Sequence, residues 1–283
     1  MNRSFTLIEI LVVVVVIGIL SSFVLVLTRY IYQEANVAKG KAFSNSVKNA
    51  LLLNIAAEWK FEGPTSSGSD ASNGDVLDSW LSNNGDTGAH QPTVVSDSEC
   101  ASGKCLQFNG TSDYISIPYN NVFNFGSKLT VFVWVKGLAQ TDDKKIVSHF
   151  DYGNTNRSWS IGTDDISFNK FEVILSNDGS NGNPHIKQYY TDNVVLDNFW
   201  HLLGFTWNGG VGSNGGTLKL YIDGKEASVQ KIRDDDLSAD YILHDPVGVN
   251  LTIGGCLNNG NNNPAYLFAG YIDDIRVYNN IIP

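Results

Sequence analysis

Phe5-Thr-Leu-Ile-Glu-Ile-Leu-Val-Val-Val-Val-Val-Ile-Gly-Ile-Leu-Ser-Ser-Phe-Val-Leu-Val-Leu27 is twenty-three residues long and carries one charge, Glu9. As a helix it would span roughly 34 Å, enough to cross a bilayer's hydrocarbon core. Five consecutive valines, Val12 to Val16, make a poor helix and an aggregation hazard in water. In lipid every backbone group must be satisfied within the segment, so helix is the only viable state. An ionisable residue inside such a span is costly and marks a functional position by default. Arg3 before the span, with no acid beside it, favours an orientation with the N-terminus inside. The run is too long for a cleavable secretory signal, and no small-x-small cleavage site follows it.

The stretch Ser4-Phe-Thr-Leu-Ile-Glu9 resembles the class III signal of type IV prepilins. The resemblance implies that residues 1–4 are a leader cut between Ser4 and Phe5 by a prepilin peptidase, that Phe5 is then N-methylated, and that Glu9 is the family's glutamate at the fifth mature position. Ser4 stands where the family usually has Gly. No proline appears before Pro64, so the kink many pilins carry in this helix is not expected. In a filament the apolar helices would pack on one another. Glu9 would then meet the charged Phe5 amine of a neighbour, offsetting part of its desolvation cost and fixing axial register. An ordinary signal anchor with a stray acid is the bland alternative.

The helix is predicted to run on to residue 54, with 5–28 as membrane or filament core and 29–54 amphipathic. Phe43, Val47, Ala50 and Leu51 fall at helical spacing. Ala35, Ala38 and Ala42 form a second, small-residue stripe that would admit close neighbours, and Lys39, Lys41 and Lys48 a solvated face. Gly40 reads as a weak point, about 1 kcal/mol less favourable than alanine.

Residues 55–283 differ in kind. Up to residue 62 the chain holds six Lys/Arg and four Asp/Glu; beyond it, thirteen and twenty-five, which brings the net charge to −10. An acidic head argues against nucleic acid as a partner. Cys100 and Cys105 enclose four residues. A disulfide is favoured over zinc, because CxxxxC without a neighbouring histidine is a weak metal pattern. Cys256 reads as a small buried thiol, with intermolecular pairing as the alternative. The loops of 63–100 have Val76, Leu77, Trp80 and Leu81 as anchors. From Leu106 onward short strand signals alternate with turn residues. Leu129, Val131, Val133 and Val135 form one apolar set and Phe132 and Trp134 another, the mark of a strand covered on both faces. Asp223-Gly224 reads as a two-residue hairpin turn, and Asp234 to Leu243 as a short helical turn.

Trp59-Lys-Phe61, Leu106-Gln-Phe-Asn-Gly-Thr-Ser-Asp-Tyr-Ile115, Leu129 to Lys136, Phe199-Trp-His-Leu202, Leu218 to Lys225, Leu251-Thr-Ile-Gly-Gly255 and Gly270-Tyr-Ile-Asp-Asp-Ile-Arg-Val-Tyr278 resemble, in order, strands of a laminin-G-like, concanavalin A-type jelly roll. The fold class expected is α+β: a long pilin-type helix followed by an antiparallel β-sandwich. Glycosidases of this fold need paired carboxylates on one strand face; no such run is present, so an enzyme is not expected. His201 reads as structural. The resemblance implies one calcium ion, with Asp273 supplying a carboxylate, carbonyls near Glu62 and Gly110, and Asp113 as a rival donor. Capping of a strand by Asp273, or pairing with Arg276, is the alternative. Asn258, Asn259, Asn261 and Asn262 form the candidate ligand-binding loop, with Asp151 to Arg157 and Asn177 to Asn183 as similar candidates.

The resemblances jointly imply a subunit of a type IV pilus or pilus-like filament. It would sit in the cytoplasmic membrane before assembly, polymerise as a homo-oligomer through the pilus assembly machinery, and end at the cell surface. A minor pilin or tip adhesin binding glycan or a surface protein, and a pseudopilin of a secretion system, are the alternatives.

Overall fold

The computed structural model describes residues 6–96, 99–180, 185–209, 216–234, 241–261 and 263–282. The leader, Ser4, Phe5 and Asn262 lie outside the described residues, as do 235–240 of the expected helical turn and 181–183 of the expected Asn177 to Asn183 loop.

One helix, α1 (Leu7–Ala50), opens the chain. It is long and apolar enough to cross a membrane. It stops four residues before the predicted end. Leu52–Asn54 tighten into a 3-10 turn, and Asn54 is tied to Asn279 through both backbone and side chain. That tie delivers Ile55 straight into the sheet.

The strands form two antiparallel sheets. The first takes β1 (Ile55–Trp59), β2 (Thr93–Ser96), β3 (Lys104–Asn109), β5 (Lys128–Lys136), β10 (His201–Asn208), β11 (Thr217–Ile222), β12 (Lys225–Glu226) and β17 (Ala269–Tyr278). Its order is β12-β11-β10-β5-β17-β3-β2, with β1 also on β17. The second takes β4 (Ile115–Ile117), β6 (Lys145–Asp151), β7 (Asn156–Thr163), β8 (Lys170–Ser176), β9 (Ile186–Val194), β13 (Val229–Arg233) and β14 (Leu251–Ile253). A short antiparallel pair, β15 (Cys256–Leu257) and β16 (Pro264–Ala265), adds to it through a parallel bridge from Leu257 of β15 to Asp151 of β6. Neighbours far apart in sequence, such as β5 beside β17 and β6 beside β14, make a jelly-roll sandwich.

The last strand starts at Ala269, and Tyr266 adopts a positive φ of 53° directly after β16. Asp223 and Gly224, at φ 51° and 79°, form the expected hairpin turn between β11 and β12. Of the four anchors expected before residue 100, Val76 alone is buried; Leu77, Trp80 and Leu81 stay exposed. The pair Cys100–Cys105 is bonded, and Cys256 is buried and free.

Strand β5 carries two apolar sets into two cores. Leu129, Val131, Val133 and Val135 join the core between the sheets. Phe132 and Trp134 point the other way, into a second cluster with Trp200, Leu202 and Tyr278 that Val47 and Leu51 of α1 close. The back half of the helix is therefore the third layer of the head.

The face that docks is not the alanine stripe. Ala35, Ala38, Ala42 and Ala50 are exposed; Gly40, Ser44, Val47 and Leu51 are buried, with Val37 and Phe43 partly so. Gly40 reverses its sequence reading. A Cβ there would stand 2.5 Å from Trp134 Cη2 and 3.3 Å from Leu202 Cβ, so glycine is what lets helix and sheet touch.

Candidate functional site

Among the described residues the front of α1 has no packing partner within the chain. Every described side chain from Thr6 to Tyr32 is exposed. At its start Thr6 and Glu9 close a capping box: Glu9 Oε2 accepts from Thr6 N and Thr6 Oγ1, each at 2.8 Å, and Glu9 N donates to Thr6 Oγ1 at 3.3 Å. Glu9 is thus satisfied locally, two jobs of a helix start in one residue. Its expected partner, Phe5, lies outside the described residues.

The back of α1 is fastened by charge as well as packing. Glu58, in the otherwise apolar β1, is 1 % exposed. Its Oε1 accepts from Lys48 Nζ at 2.6 Å and from Arg276 Nε at 2.9 Å. Arg276 also donates to Ser44 Oγ at 2.6 Å and Asp274 Oδ2 at 2.7 Å. Burial pushes the Glu58 carboxyl up, but the Lys48 bond and the Arg276 and Lys48 charges outweigh it and hold it below its usual range. The anchor was missed from sequence. A lone acid within Ile55-Ala-Ala-Glu-Trp59 was the available sign.

His201 bridges two carboxylates, Asp223 Oδ2 at 2.9 Å and Asp197 Oδ1 at 3.2 Å. Burial alone would lower it; hydrogen bonds to the two aspartates raise it to about 9, so it is an imidazolium at neutral pH. It lines a cleft beside α1 with Tyr32, Gln33, Asn36 and Phe199.

The four expected calcium donors fall into two groups. Asp113 closes the turn after β3, accepting from Asn109 N at 3.0 Å and Asn109 Nδ2 at 2.7 Å, and Gly110 lies in that same turn against Ala269. Asp273 sits at the bulge where β17 passes from β3 to β1. Its Oδ2 accepts from Ser102 N at 2.9 Å, while its buried Oδ1 finds no partner among the described residues. Burial drives this carboxyl well above its usual range, and the charges of Asp274 and Glu62 add to that. Glu62 accepts from Lys104 N at 3.2 Å. A cation here would have Asp273 and Glu62, not Asp113 or Gly110. Among the described residues no three acids, histidines or cysteines converge as metal ligands. Arg276 pairs with Glu58 and Asp274 rather than Asp273.

The loop candidates do converge. Asp151 Oδ1 accepts from Asn259 N at 2.8 Å and Asp151 Oδ2 from Gly260 N at 2.9 Å, which docks the asparagine loop onto the end of β6. Asn261 Nδ2 donates to Gly248 O at 2.8 Å, and Asn258 borders Gly153. Tyr152 and Tyr266 lie with ring centroids 5.0 Å apart. His244 Nε2 bonds Asn156 Oδ1 at 2.8 Å, and Gly179 packs against Thr155 and His244. Loops 151–157, 177–180 and 257–261 thus share one rim of the second sheet.

Two opposed antiparallel sheets with long crossovers and a loop-built rim decide the family. The profile of the concanavalin A-like lectin/glucanases superfamily matches residues 109–282. The chain belongs to that superfamily. Residues 1–25 match the prokaryotic N-terminal methylation motif, so the lectin-like head is carried on a type IV pilin-like N-terminus. No curated protein sequence matches the chain. Among solved structures, the binding domain of Paraclostridial Mosquitocidal Protein 1 aligns at TM-score 0.53 and 16% identity, covering 82% of this chain and 50% of that one. The receptor binding domain of botulinum neurotoxin mosaic serotype C/D aligns at 0.52 and 15% identity, covering 82% and 49%. The chain therefore spans about half the length of these structures, and at such identity the likeness is one of fold. The chain thus joins a prokaryotic methylation motif to a concanavalin A-like head.

Proposed function

We propose that the chain is a structural subunit of a type IV pilus or pilus-like surface filament, assembled through its apolar helix and displaying the lectin-like head. One observation carries the reading. The front of α1 presents an apolar rod, from Leu7 to Leu27, whose described side chains no described residue covers, while its back half is built into the head. A bilayer covers that rod before assembly, and other copies of the same helix cover it afterwards. Prepilin peptidase and the assembly machinery are the partners the motif calls for. The meeting of three loops at one rim supports a second role, binding of glycan or a surface protein by the head, as in a minor pilin or tip adhesin.

Glu9→Val tests assembly. The variant is expected to insert in the membrane as the parent does and to be absent from sheared surface filaments, read by immunoblot and microscopy of both fractions. A normal filament yield defeats the Glu9 pairing, and absence of the parent chain from any filament defeats the whole reading.

A structural calcium ion at Asp273 and Glu62 is a proposal resting on the unpartnered Asp273 Oδ1. Calcium is expected to raise the melting temperature of the full chain in detergent over that in chelator; equal temperatures remove the ion.

A further inference from the structure

The length of the rod fixes the height of the head. As helix, Leu7 to Leu27 rises about 31 Å, the thickness of a bilayer's hydrocarbon core. The headgroup layer adds roughly 5–8 Å on each side. The turn from Thr28 to Tyr32, which rises about 8 Å, therefore lies within that layer.

The head already stands beside this turn. A cleft of about 360 Å³ is lined by Thr28, Arg29 and Tyr32 together with Asp197, Phe199 and His201. On the other flank of α1, Tyr30 and Gln33 line a second cleft with Phe199 and Trp200. Phe199 belongs to both, so the loop 197–199 that carries it is level with the helical turn next to the membrane. Loop 137–141 adjoins it: Leu138 bridges to Asp197, and Asn198 N donates to Gly137 O at 2.7 Å.

This underside is apolar where it is open. Leu138 is 63 % exposed, Tyr30 and Tyr32 are exposed as well, and Phe199 is half-buried. The pose of Phe199 is fixed from behind. Asp197 Oδ1 accepts from Phe199 N at 3.0 Å and from His201 Nε2 at 3.2 Å, and Gln33 Nε2 donates to Trp200 O at 3.4 Å. Arg29 is the first charge after Glu9, and Arg29, Lys39 and Lys41 outnumber Glu34 along this part of the helix. The exit of α1 is thus basic on a head that is acidic as a whole, which suits anionic headgroups. Tyrosine and arginine, with apolar bodies and polar tips, are the residue types that settle at this depth.

We infer that the underside of the head is a lipid-contact surface. Before assembly, loops 137–141 and 197–199 rest in the headgroup layer, with Leu138 and Phe199 dipping into it and Arg29 on lipid phosphate. This rests on the membrane-inserted rod proposed above and adds a second surface, on the head itself, that assembly must strip of lipid.

The test is spin-label accessibility in the full chain, reconstituted one copy per nanodisc of phosphatidylethanolamine and phosphatidylglycerol. Leu138→Cys carries the label, with the equally surface-placed Ala139→Cys as a second site should the first misfold. Cys100 and Cys105 are bonded and Cys256 is buried, so no native thiol competes. Leu20→Cys marks the rod. Leu77→Cys, on the loop beside β1, marks an exposed apolar site away from the underside. A water-soluble nickel chelate is expected to collide severalfold less with the label at 138 than at 77, and dissolved oxygen more. A label at 20 shielded from nickel, with 138 as open as 77, overturns the lipid-contact surface and leaves the inserted rod standing. A label at 20 as open as 77 overturns both.

Discussion

Glu58→Ala is expected to lower the unfolding free energy of the full chain by about 3–5 kcal/mol, the cost of removing one partner from a buried ion pair. The carboxylate is 2 % exposed and stands within 4 Å of three cations, Lys48, Arg276 and Lys60. Without it, Arg276 keeps Asp274 and Ser44 but its Nε is left buried and unpaired, and Lys48 loses the strand it reaches for. Both effects fall on the contact that holds α1 to the sheet, so the helix is expected to loosen before the sandwich melts. Denaturant unfolding in detergent measures the loss, and protease sensitivity across residues 33–50 reports the loosening. Lys60→Ala is the control. Its ammonium is 43 % exposed and 3.6 Å from Glu58, and such an exposed partner is worth about 1 kcal/mol or less. A Glu58→Ala variant no less stable than Lys60→Ala would show that packing alone holds the helix.

Gly40→Val is expected to destabilise the chain by about 3 kcal/mol, at the upper end for overpacking. The first added carbon meets the Trp134 ring at 2.5 and 2.9 Å. That ring is 1 % exposed and fixed among Phe132, Trp200 and Leu202, so it cannot swing aside, and the valine methyls widen the clash. Helix propensity argues the other way, since leaving glycine gains about 1 kcal/mol with alanine and less with valine. The net sign separates the two accounts: a local weak point predicts stabilisation, a docking contact predicts loss. Pairing Gly40→Val with Trp134→Phe is expected to recover part of the loss, because the two residues are in contact and their effects do not add. Stability of Gly40→Val at or above that of the parent would end the docking account.

Much of the site was legible from residues 5–27 and from β5. A long apolar run admits one state in lipid, so the helix follows from composition. The alternating sets of β5 require cover on both faces, so a third layer follows as well. What covers the outer face did not follow. The docking residues Val37, Gly40, Ser44, Val47 and Leu51 repeat every three or four positions, but two of them are glycine and serine, which carry no apolar signal. The visible alanine stripe does not face the head and stays exposed. The calcium donors show the same limit: Asp113 and Asp273 look alike in sequence, yet one closes a local turn and the other is left with an unpartnered oxygen by a bulge.

Sequence alone determined that this chain is an apolar rod bearing an acid near its start, joined to an acidic β head. Periodicity and charge are properties of neighbours along the chain, and these features need nothing more. Only the tertiary structure decided that Glu58 meets Arg276 across 218 positions, that Gly40 is a contact, and that loops 151–157 and 257–261 share one rim. Each of these depends on which strands lie side by side, and that is settled by the packing of two sheets and a helix as a whole.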